Sequence, residues 1–467
     1  MNNKVSFDIK RLATQIDWPL LALLTTLMVD MVWIKPFALL FSLLWIRASN
    51  LKHSLKEIPP FYLLIIGFSL IQYFVLADFT RDYLLFFSIG MAYWIFSGLA
   101  FALIFARIKS SNSQRNHITL TSFFWLNLGV TAFQLLMTMI HSGTINPFAL
   151  WDNPEFGTST GDHLKGLFLA PCYINFMANS FFALYFLSKQ KLVNSVLAVI
   201  TLCLTSSNFA IILFVPTYLV VSFFSRVPKA KLAALGSMAF IVLFYGLISR
   251  SNYYYLTESI FKIEHHYDEK KIGKVDNTVS TNNLASNKED IEYFKDNKGK
   301  VIAINQTIDF LKSDWKNFLF GAGIGNFSSL LARRQSDIQI EQKSRLFKKL
   351  PLRVSPSYRD NHYTIERHIY NMSSDWHSIQ QLPSSFFNQI LGEYGVLGTV
   401  LFLVFYIGYI LKRSKFNLVF FPIAFLMGYY LLFDYLFEYL SIVVLFEVFF
   451  MLMILEPEKK VDVLNEK

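Results

Sequence analysis

The feature that most constrains this chain is its series of apolar runs. Several of them approach or exceed the roughly 18 residues that a helix needs to span a bilayer. Hydrophobic residues make up 54% of the 467 positions and charged residues only 16%, whereas soluble domains carry about 25% charged residues. The pattern predicts an all-α polytopic membrane protein and argues against a soluble domain.

Twelve transmembrane helices fit the apolar runs. Residues 18–46 are broken near Asp30 and at Lys35-Pro36, which favours two short helices over the alternative of one long helix. The spans are two in 18–46, then 60–77, 83–106, 119–140, 164–187, two in 192–224, 232–249, 386–411, 416–433 and 437–455. The expected domains are spans 1–9 at 1–249, a loop at 250–385, spans 10–12 at 386–455 and a tail at 456–467.

The basic residues set the expected topology. If the N-terminus lies inside, the cytoplasmic pieces hold 20 Lys and Arg, and the short loops opposite hold only Lys35, Arg81 and Lys165. Such asymmetry follows the positive-inside rule, from which long translocated loops are largely exempt. We therefore expect both termini in the cytoplasm and loop 250–385 outside it. Topology accounts for the net charge of +10, so nucleic acid is not an expected partner.

A glycine-rich turn stands out inside the loop. Residues 301–315 show apolar positions at helical spacing, and Gly321, Gly323 and Gly325 follow shortly after. Glycine permits positive φ and the close approach of another group, and such turns can cradle phosphate oxygens with backbone N–H groups. A plain tight turn is the alternative.

The loop also supplies cations and titratable groups. Arginine is the natural bidentate partner of phosphate, and histidine exchanges protons near neutral pH. They are either substrate-binding groups or ordinary residues of a solvated loop. The residues are Arg333, Arg334, Arg345, Arg353, Arg359, Arg367, His265, His266, His362, His368 and His377.

Two motifs carry a resemblance to a known family. The first is FLFGAGIGNF at 318–327, and the second is FFNQILGEYGVLG at 386–398, which runs into a predicted span. Together with the twelve spans and the large late loop, they resemble the O-antigen ligase and O-antigen polymerase superfamily of GT-C-type glycosyltransferases. The resemblance implies metal-independent transfer of a glycan from undecaprenyl diphosphate to an acceptor hydroxyl, without a cofactor.

Some family positions differ here. Relatives often carry His-Asn where this chain has Ser384 and Ser385, and Ser-Arg where it has Ser207 and Asn208. An arginine often opens the helix before the glycine motif, and here the candidates are Lys298 and Lys300. These differences weaken the transfer of individual catalytic roles to this chain.

Chemistry nevertheless indicates candidates for each role. A departing pyrophosphate needs fixed cations, and the acceptor hydroxyl needs a base. Glu393 lies about two helical turns inside a predicted span, so its carboxylate should be paired or line a cavity; a structural hydrogen bond is the alternative. The catalytic candidates are His377, Glu393, His362 and His368. The substrate-binding candidates are Arg250, Lys300, Arg333, Arg334, Arg367, Gly321, Gly323 and Gly325.

The expected function is that of an inner-membrane glycosyltransferase that polymerises O-antigen or a related polysaccharide. The alternatives are an O-antigen ligase, which uses lipid A core as the acceptor, and a transporter or flippase for the same lipid-linked glycan. Transporters often show internal repeats and broken helices, and we find no repeat. The expected partners are the undecaprenyl-diphosphate-linked oligosaccharide, the lipid bilayer, the acceptor glycan and a polysaccharide chain-length regulator.

Overall fold

A computed structural model describes twelve stretches of the chain. They are residues 14–29, 34–46, 48–76, 79–151, 163–169, 171–205, 208–225, 228–249, 299–338, 347–371, 382–414 and 420–455. Within these stretches the regular structure is helical throughout and contains no strand. His377 and Arg250, two of the predicted site residues, lie outside the described residues.

The described part of the first half forms ten α-helices. They are α1 Trp18–Met28, α2 Ile34–Leu43, α3 Ala48–Leu55, α4 Pro60–Leu76, α5 Arg81–Ser110, α6 Ser113–Ser142, α7 Cys172–Ser188, α8 Leu192–Leu204, α9 Asn208–Phe224 and α10 Pro228–Leu243. Residues 18–46 thus give two helices, as preferred from the sequence. Short 3₁₀ helices occupy Pro147–Trp151 and Gly166–Phe168, and a π turn at Phe244–Ile248 extends α10.

The described part of the second half forms nine more helices. They are α11 Gly299–Ser313, α12 Trp315–Phe320, α13 Leu330–Gln335, α14 Pro356–Tyr358, α15 Thr364–Asn371, α16 Phe386–Leu401, α17 Gly408–Ser414, α18 Phe420–Tyr430 and α19 Leu440–Leu455. π turns at Arg359–Tyr363 and Phe402–Ile407 join α14 to α15 and α16 to α17. Short 3₁₀ helices lie at Phe347–Lys349 and Leu436–Glu438.

The lengths of the helices bear on the membrane prediction. Among the described residues, four helical stretches are long and apolar enough to cross a bilayer, or five if the bent pair α3 and α4 counts as one. The four are Arg81–Ser110, Ser113–Ser142, Pro228–Ile248 and Phe386–Ser414. Six further apolar helices are shorter, with 10–17 residues each. The chain has the build of a helical membrane protein, and the number of twelve spans stays a prediction.

One predicted span begins later than expected. The sequence placed it at 164–187, but α7 starts only at Cys172, directly after Pro171. The preceding segment is irregular, and the amide side chains of the buried Asn127 and the partly buried Gln134 accept hydrogen bonds from its backbone. The Gly166 N–H donates to Gln134 at 2.8 Å, and the Leu167 N–H donates to Asn127 at 2.9 Å. Irregular backbone beside apolar helices needs such partners.

The last helix forms the centre of the described bundle. Fourteen of the sixteen residues of α19 are buried, because this helix is apolar on all sides, as expected of a helix enclosed by others. It packs against α1, α5, α7 and α18. The 3₁₀ turn just before it, Leu436–Glu438, lies at the end of the bundle that meets the loop helices, and this end holds the candidate site.

Candidate functional site

The two motifs behind the family resemblance pack directly on each other. The Ala322 N–H donates to the Gly392 carbonyl at 2.8 Å, and the Gly323 N–H donates to the Glu393 carbonyl at 2.9 Å. The backbone of α16 is non-helical at Gly395, with φ 64° and ψ −167°. A break of this kind leaves nearby carbonyls without partners in their own helix. We call this contact, formed by residues 321–325 and 392–395, the glycine junction.

The junction requires glycine because two backbones touch there. Gly321 has φ +69°, and a Cβ added to it would lie 2.6 Å from the Glu393 carbonyl carbon and from the Gly395 nitrogen. A Cβ at Gly395 would lie 2.5 Å from the Leu319 oxygen. The predicted positive φ and close approach are therefore present. The approaching group is the protein's own backbone, which favours the tight-turn interpretation for the N–H groups of Ala322 and Gly323.

Glu393 is one of the residues of the glycine junction. Its side chain is buried, and the Ser329 hydroxyl and the backbone N–H groups of Gly325 and Phe327 face its carboxylate. The carboxylate of Glu438 lies near enough to repel it. Among the described residues, the Glu393 Oε1 atom has no hydrogen-bond partner. A buried carboxylate with one unpartnered oxygen is a candidate to accept a proton or to contact a substrate.

A second buried carboxylate, which sequence reasoning missed, joins the loop to the bundle. Glu366 accepts hydrogen bonds from Tyr358 and, at 2.9 Å, from Tyr435. The Tyr435 hydroxyl also lies 2.8 Å from Ser328, which contacts His362 at 2.7 Å. Burial raises the pKa of Glu366, and the nearby Arg333 opposes that rise. We call Glu366, Tyr358, Tyr435, Ser328 and His362 the Glu366 network.

His362 is enclosed rather than poised for catalysis. It is fully buried, and its Nε2 lies 3.0 Å from the Ala303 carbonyl and 3.2 Å from the Thr307 hydroxyl. Its Nδ1 contacts Ser328, so both ring nitrogens have partners. Burial lowers the pKa of His362 to about 4. This geometry favours a structural role over the predicted role as a base, and it leaves the half-buried His368 on α15 as the other described histidine candidate.

Lys300 lies next to Ser384. Its amine donates to the Ser384 carbonyl and, at 3.0 Å, to the Phe433 carbonyl. Burial lowers the pKa of Lys300 to about 7, and the carboxylate of Glu366 opposes that shift. An amine with such a pKa exchanges protons near neutral pH.

The side chains of the candidate cations Arg333 and Arg334 contact different residues. Arg333 donates to the Tyr370 hydroxyl at 2.8 Å, whereas Arg334 lies over the Phe347 ring at 5.2 Å. Consecutive residues on a helix point about 100° apart, and α13 separates the two side chains in this way. Arg367 is exposed and lies 3.7 Å from Asp337.

Arg353 was among the loop cations in the sequence but not among the substrate-binding candidates. Its Nη1 donates to Asn326 at 2.5 Å, and its guanidinium lies 5.0 Å from the centre of the Tyr83 ring. Asn326 is the residue that follows the third glycine of the motif, and the hydroxyl of Tyr83 approaches Gly323. Arg353 therefore places a positive charge beside the glycine junction, where an anionic group can be bound.

Comparisons with known proteins add no assignment to this geometry. No family model matches the chain, and neither a curated protein nor a solved structure matches it. Among the residues that the structure describes, no three His, Cys, Asp or Glu side chains group so that they could hold a metal ion.

Proposed function

We propose that this chain is a membrane glycosyltransferase that polymerises O-antigen or a related surface polysaccharide. It crosses the bacterial cytoplasmic membrane twelve times, with both termini in the cytoplasm and residues 250–385 on the outer side. The donor is an oligosaccharide on undecaprenyl diphosphate, and the acceptor is a sugar hydroxyl of another lipid-linked glycan. No metal ion takes part in the proposed reaction.

The glycine junction is the observation that carries this proposal. The family resemblance rests on two motifs that lie far apart in the chain, and the resemblance gains weight if the two motifs act together. Backbone hydrogen bonds of 2.8 and 2.9 Å join them. They meet beside a buried carboxylate, Glu393, and a cation, Arg353, which are the two kinds of group that the reaction needs.

The chemical step assigns a task to each kind of group. The acceptor oxygen attacks the anomeric carbon of the donor sugar, and its proton passes to a base. The bond from that carbon to the diphosphate oxygen breaks, and its electron pair stays on the departing diphosphate. Glu393, Lys300 and His368 are the described candidates for the base. Arg353 is the described cation best placed to stabilise the leaving group.

The polymerase is preferred over the ligase by analogy alone. The long loop and the loosely kept family positions are what we expect of enzymes adapted to strain-specific sugars. Both enzymes use the same donor and differ in the acceptor. The transporter is a weaker alternative, because the polar groups described above concentrate at one end of the bundle rather than along a path through it.

Deletion of the gene, followed by gel analysis of lipopolysaccharide, tests the proposal. A polymerase deletion should leave core lipid that carries a single repeat, and plasmid-borne wild-type protein should restore the ladder. A bare core with retained lipid-linked polymer identifies a ligase instead. A bare core with unpolymerised repeats held on the cytoplasmic side identifies a transporter. An unchanged ladder, with no change in any other surface polysaccharide, would overturn the proposal.

A further inference from the structure

A second polar region lies at the opposite end of α5 from the loop. The short helix α3 (Ala48–Leu55) packs against α5, and it meets α4 at an angle of 70°. Its exposed residues include Lys52 and His53, and the exposed Lys56 directly follows it. A short helix with basic residues, steeply inclined to the next span, is typical of a segment that lies in the membrane interface. On the proposed topology this interface is cytoplasmic.

A cavity of about 300 Å³ opens between α3 and the end of α5. Five of its six lining residues have polar side chains, which distinguishes it from a gap between purely apolar side chains. The six residues are Asn50, His53, Ser54, Ala106, Lys109 and Ser110. A cavity of this volume can hold a small polar group of a ligand.

The charges around the cavity are mainly positive. The Lys109 amine lies 2.5 Å from the Nε2 atom of His53, so two basic groups meet at the rim. The nearest acidic side chain, Glu57, lies 3.9 Å from His53, but it is bound by Arg413 at 2.6 Å. Lys52 on α3 and Lys56 directly after it add further positive charge. The surplus favours an anionic ligand.

Exposed apolar side chains lie just before α3 in the chain. α2 also packs against α5, and the segment from α2 to α3 leaves large apolar side chains exposed. Leu44 is 75% exposed and Trp45 is 53% exposed. Trp is favoured where hydrocarbon meets the headgroups of a bilayer. A cavity that carries basic groups and exposed apolar side chains just before the helix that lines it match the two parts of a phospholipid.

We propose that this cavity binds the phosphate headgroup of an anionic glycerophospholipid, whose acyl chains lie along α2. Basic pockets between helices at the cytoplasmic surface are suited to such headgroups. The site lies away from the glycine junction and needs a membrane-embedded chain, but it does not need the glycosyltransferase activity. Phosphate is the recognised chemistry, and the experiment therefore separates lipid from free phosphate.

The test uses the purified full-length protein in a neutral detergent. Phosphatidylglycerol should raise the melting temperature in a saturable way, and phosphatidylcholine at equal concentration should raise it less. Native mass spectrometry should detect one tightly held phosphatidylglycerol. Lys109→Ala and His53→Ala should each weaken its binding about five-fold, and Lys109→Arg should retain it. Melting temperatures without lipid show whether each variant folds.

Lys231→Ala is the matched control. Lys231 is also exposed and cytoplasmic on the proposed topology, but it lines a second cavity of about 430 Å³ with mostly apolar walls. This variant should bind phosphatidylglycerol like the wild type. Equal lipid affinity in wild type, Lys109→Ala and His53→Ala would overturn the proposal. A stabilisation by inorganic phosphate as large as that by lipid would replace the lipid site with a site for a soluble anion.

Discussion

Glu393 and Glu447 are both buried carboxylates on apolar helices, and their surroundings differ. The Glu447 Oε1 atom accepts hydrogen bonds from Tyr62 at 2.6 Å and from Tyr406 at 3.1 Å. The rings of these tyrosines pack edge-on at 5.9 Å. Glu393 faces backbone N–H groups of a non-helical loop and lies close to another carboxylate, Glu438, and its Oε1 has no partner among the described residues.

The difference separates a structural carboxylate from a candidate functional one. A carboxyl group within a bundle is a functional candidate by default, but Glu447 shows that two tyrosine hydroxyls in a packed aromatic cluster can meet its needs. Glu393 instead lies where helix and loop backbones meet, and it keeps an oxygen available. The partners of a buried carboxylate are thus more informative than its depth.

The largest expected effect comes from breaking the glycine junction. Gly395→Ala places a Cβ 2.5 Å from the Leu319 oxygen at a φ of +64°, so two backbones must separate. Left-handed strain and overpacking together should lower the free energy of unfolding by roughly 4 kcal/mol. Thermal unfolding in detergent and the lipopolysaccharide ladder measure the loss of stability and of activity.

Gly428→Ala is the control for that substitution. Gly428 lies in α18, and a Cβ added there meets no atom within 4 Å. Alanine should be neutral or slightly stabilising at this helical position. If Gly395→Ala matches Gly428→Ala in stability and activity, the junction does not position Glu393.

The same substitution at Glu393 and at Glu447 tests whether only Glu393 has a catalytic role. Glu393→Gln keeps the side chain's shape and removes its ability to take a proton, so polymer formation should fall by about 100-fold or more. Glu447→Gln should leave activity near the wild-type level, because its role is to accept hydrogen bonds. Ladder length and quantity, normalised to the amount of protein in the membrane, measure both. Equal losses of polymer formation at the two positions would mean that Glu393 has no functional role that Glu447 lacks.

The helices were largely predictable from local patterns. Apolar runs indicated most of the apolar helices, and the polar residues 205–208 and the prolines Pro60 and Pro171 mark where helices end or begin. The positive φ of Gly321, Gly323 and Gly325 also followed from residue type alone. These features depend on neighbours in the chain, and a single sequence contains that information.

The partners of the site residues were not predictable in this way. Tyr435 reaches Glu366 across 69 positions, and Arg353 reaches Asn326 across 27. No periodicity links such pairs, since their contact depends on how helices pack. The different partners of Arg333 and Arg334 were not predictable either, since neighbours in sequence need not share side-chain contacts. On α13 the two side chains point in different directions.

His362, which lies near Glu393, should make the stability of this region depend on pH. Its ring packs on Phe327 at 4.9 Å, and Phe327 lies against Gly392. Its pKa is about 4 in the fold and about 6.5 in an unfolded chain. The unfolded state therefore binds more protons between these values, and the fold should lose roughly 3 kcal/mol as pH falls from about 6.5 to about 4.

Unfolding of wild type and His362→Gln across that range isolates this contribution. The carboxylate of Glu366 titrates with the opposite sign, because its pKa is raised in the fold, but it is common to both proteins. The difference in stability between them should shrink as pH falls. Thr307→Val removes a partner of the ring but keeps the histidine, so its difference from wild type should stay nearly constant. A difference for His362→Gln that is equally constant would contradict the assignment.

The smallest expected effect is the loss of stability when a hydrogen bond to Glu447 is removed. Tyr406→Phe removes the longer of the two hydrogen bonds and leaves the Tyr62 hydroxyl at 2.6 Å. Hydrogen bonds between membrane helices average about 0.6 kcal/mol in measured cycles, so a loss of that order is expected, with activity unchanged. The double variant Tyr62→Phe, Tyr406→Phe should lose more than the sum of the single losses, because it leaves the buried carboxyl without either donor. Unfolding of the four proteins of this cycle in detergent measures the coupling. Strictly additive losses would mean that the two tyrosines do not act jointly on Glu447, and that its role is not explained by this pair.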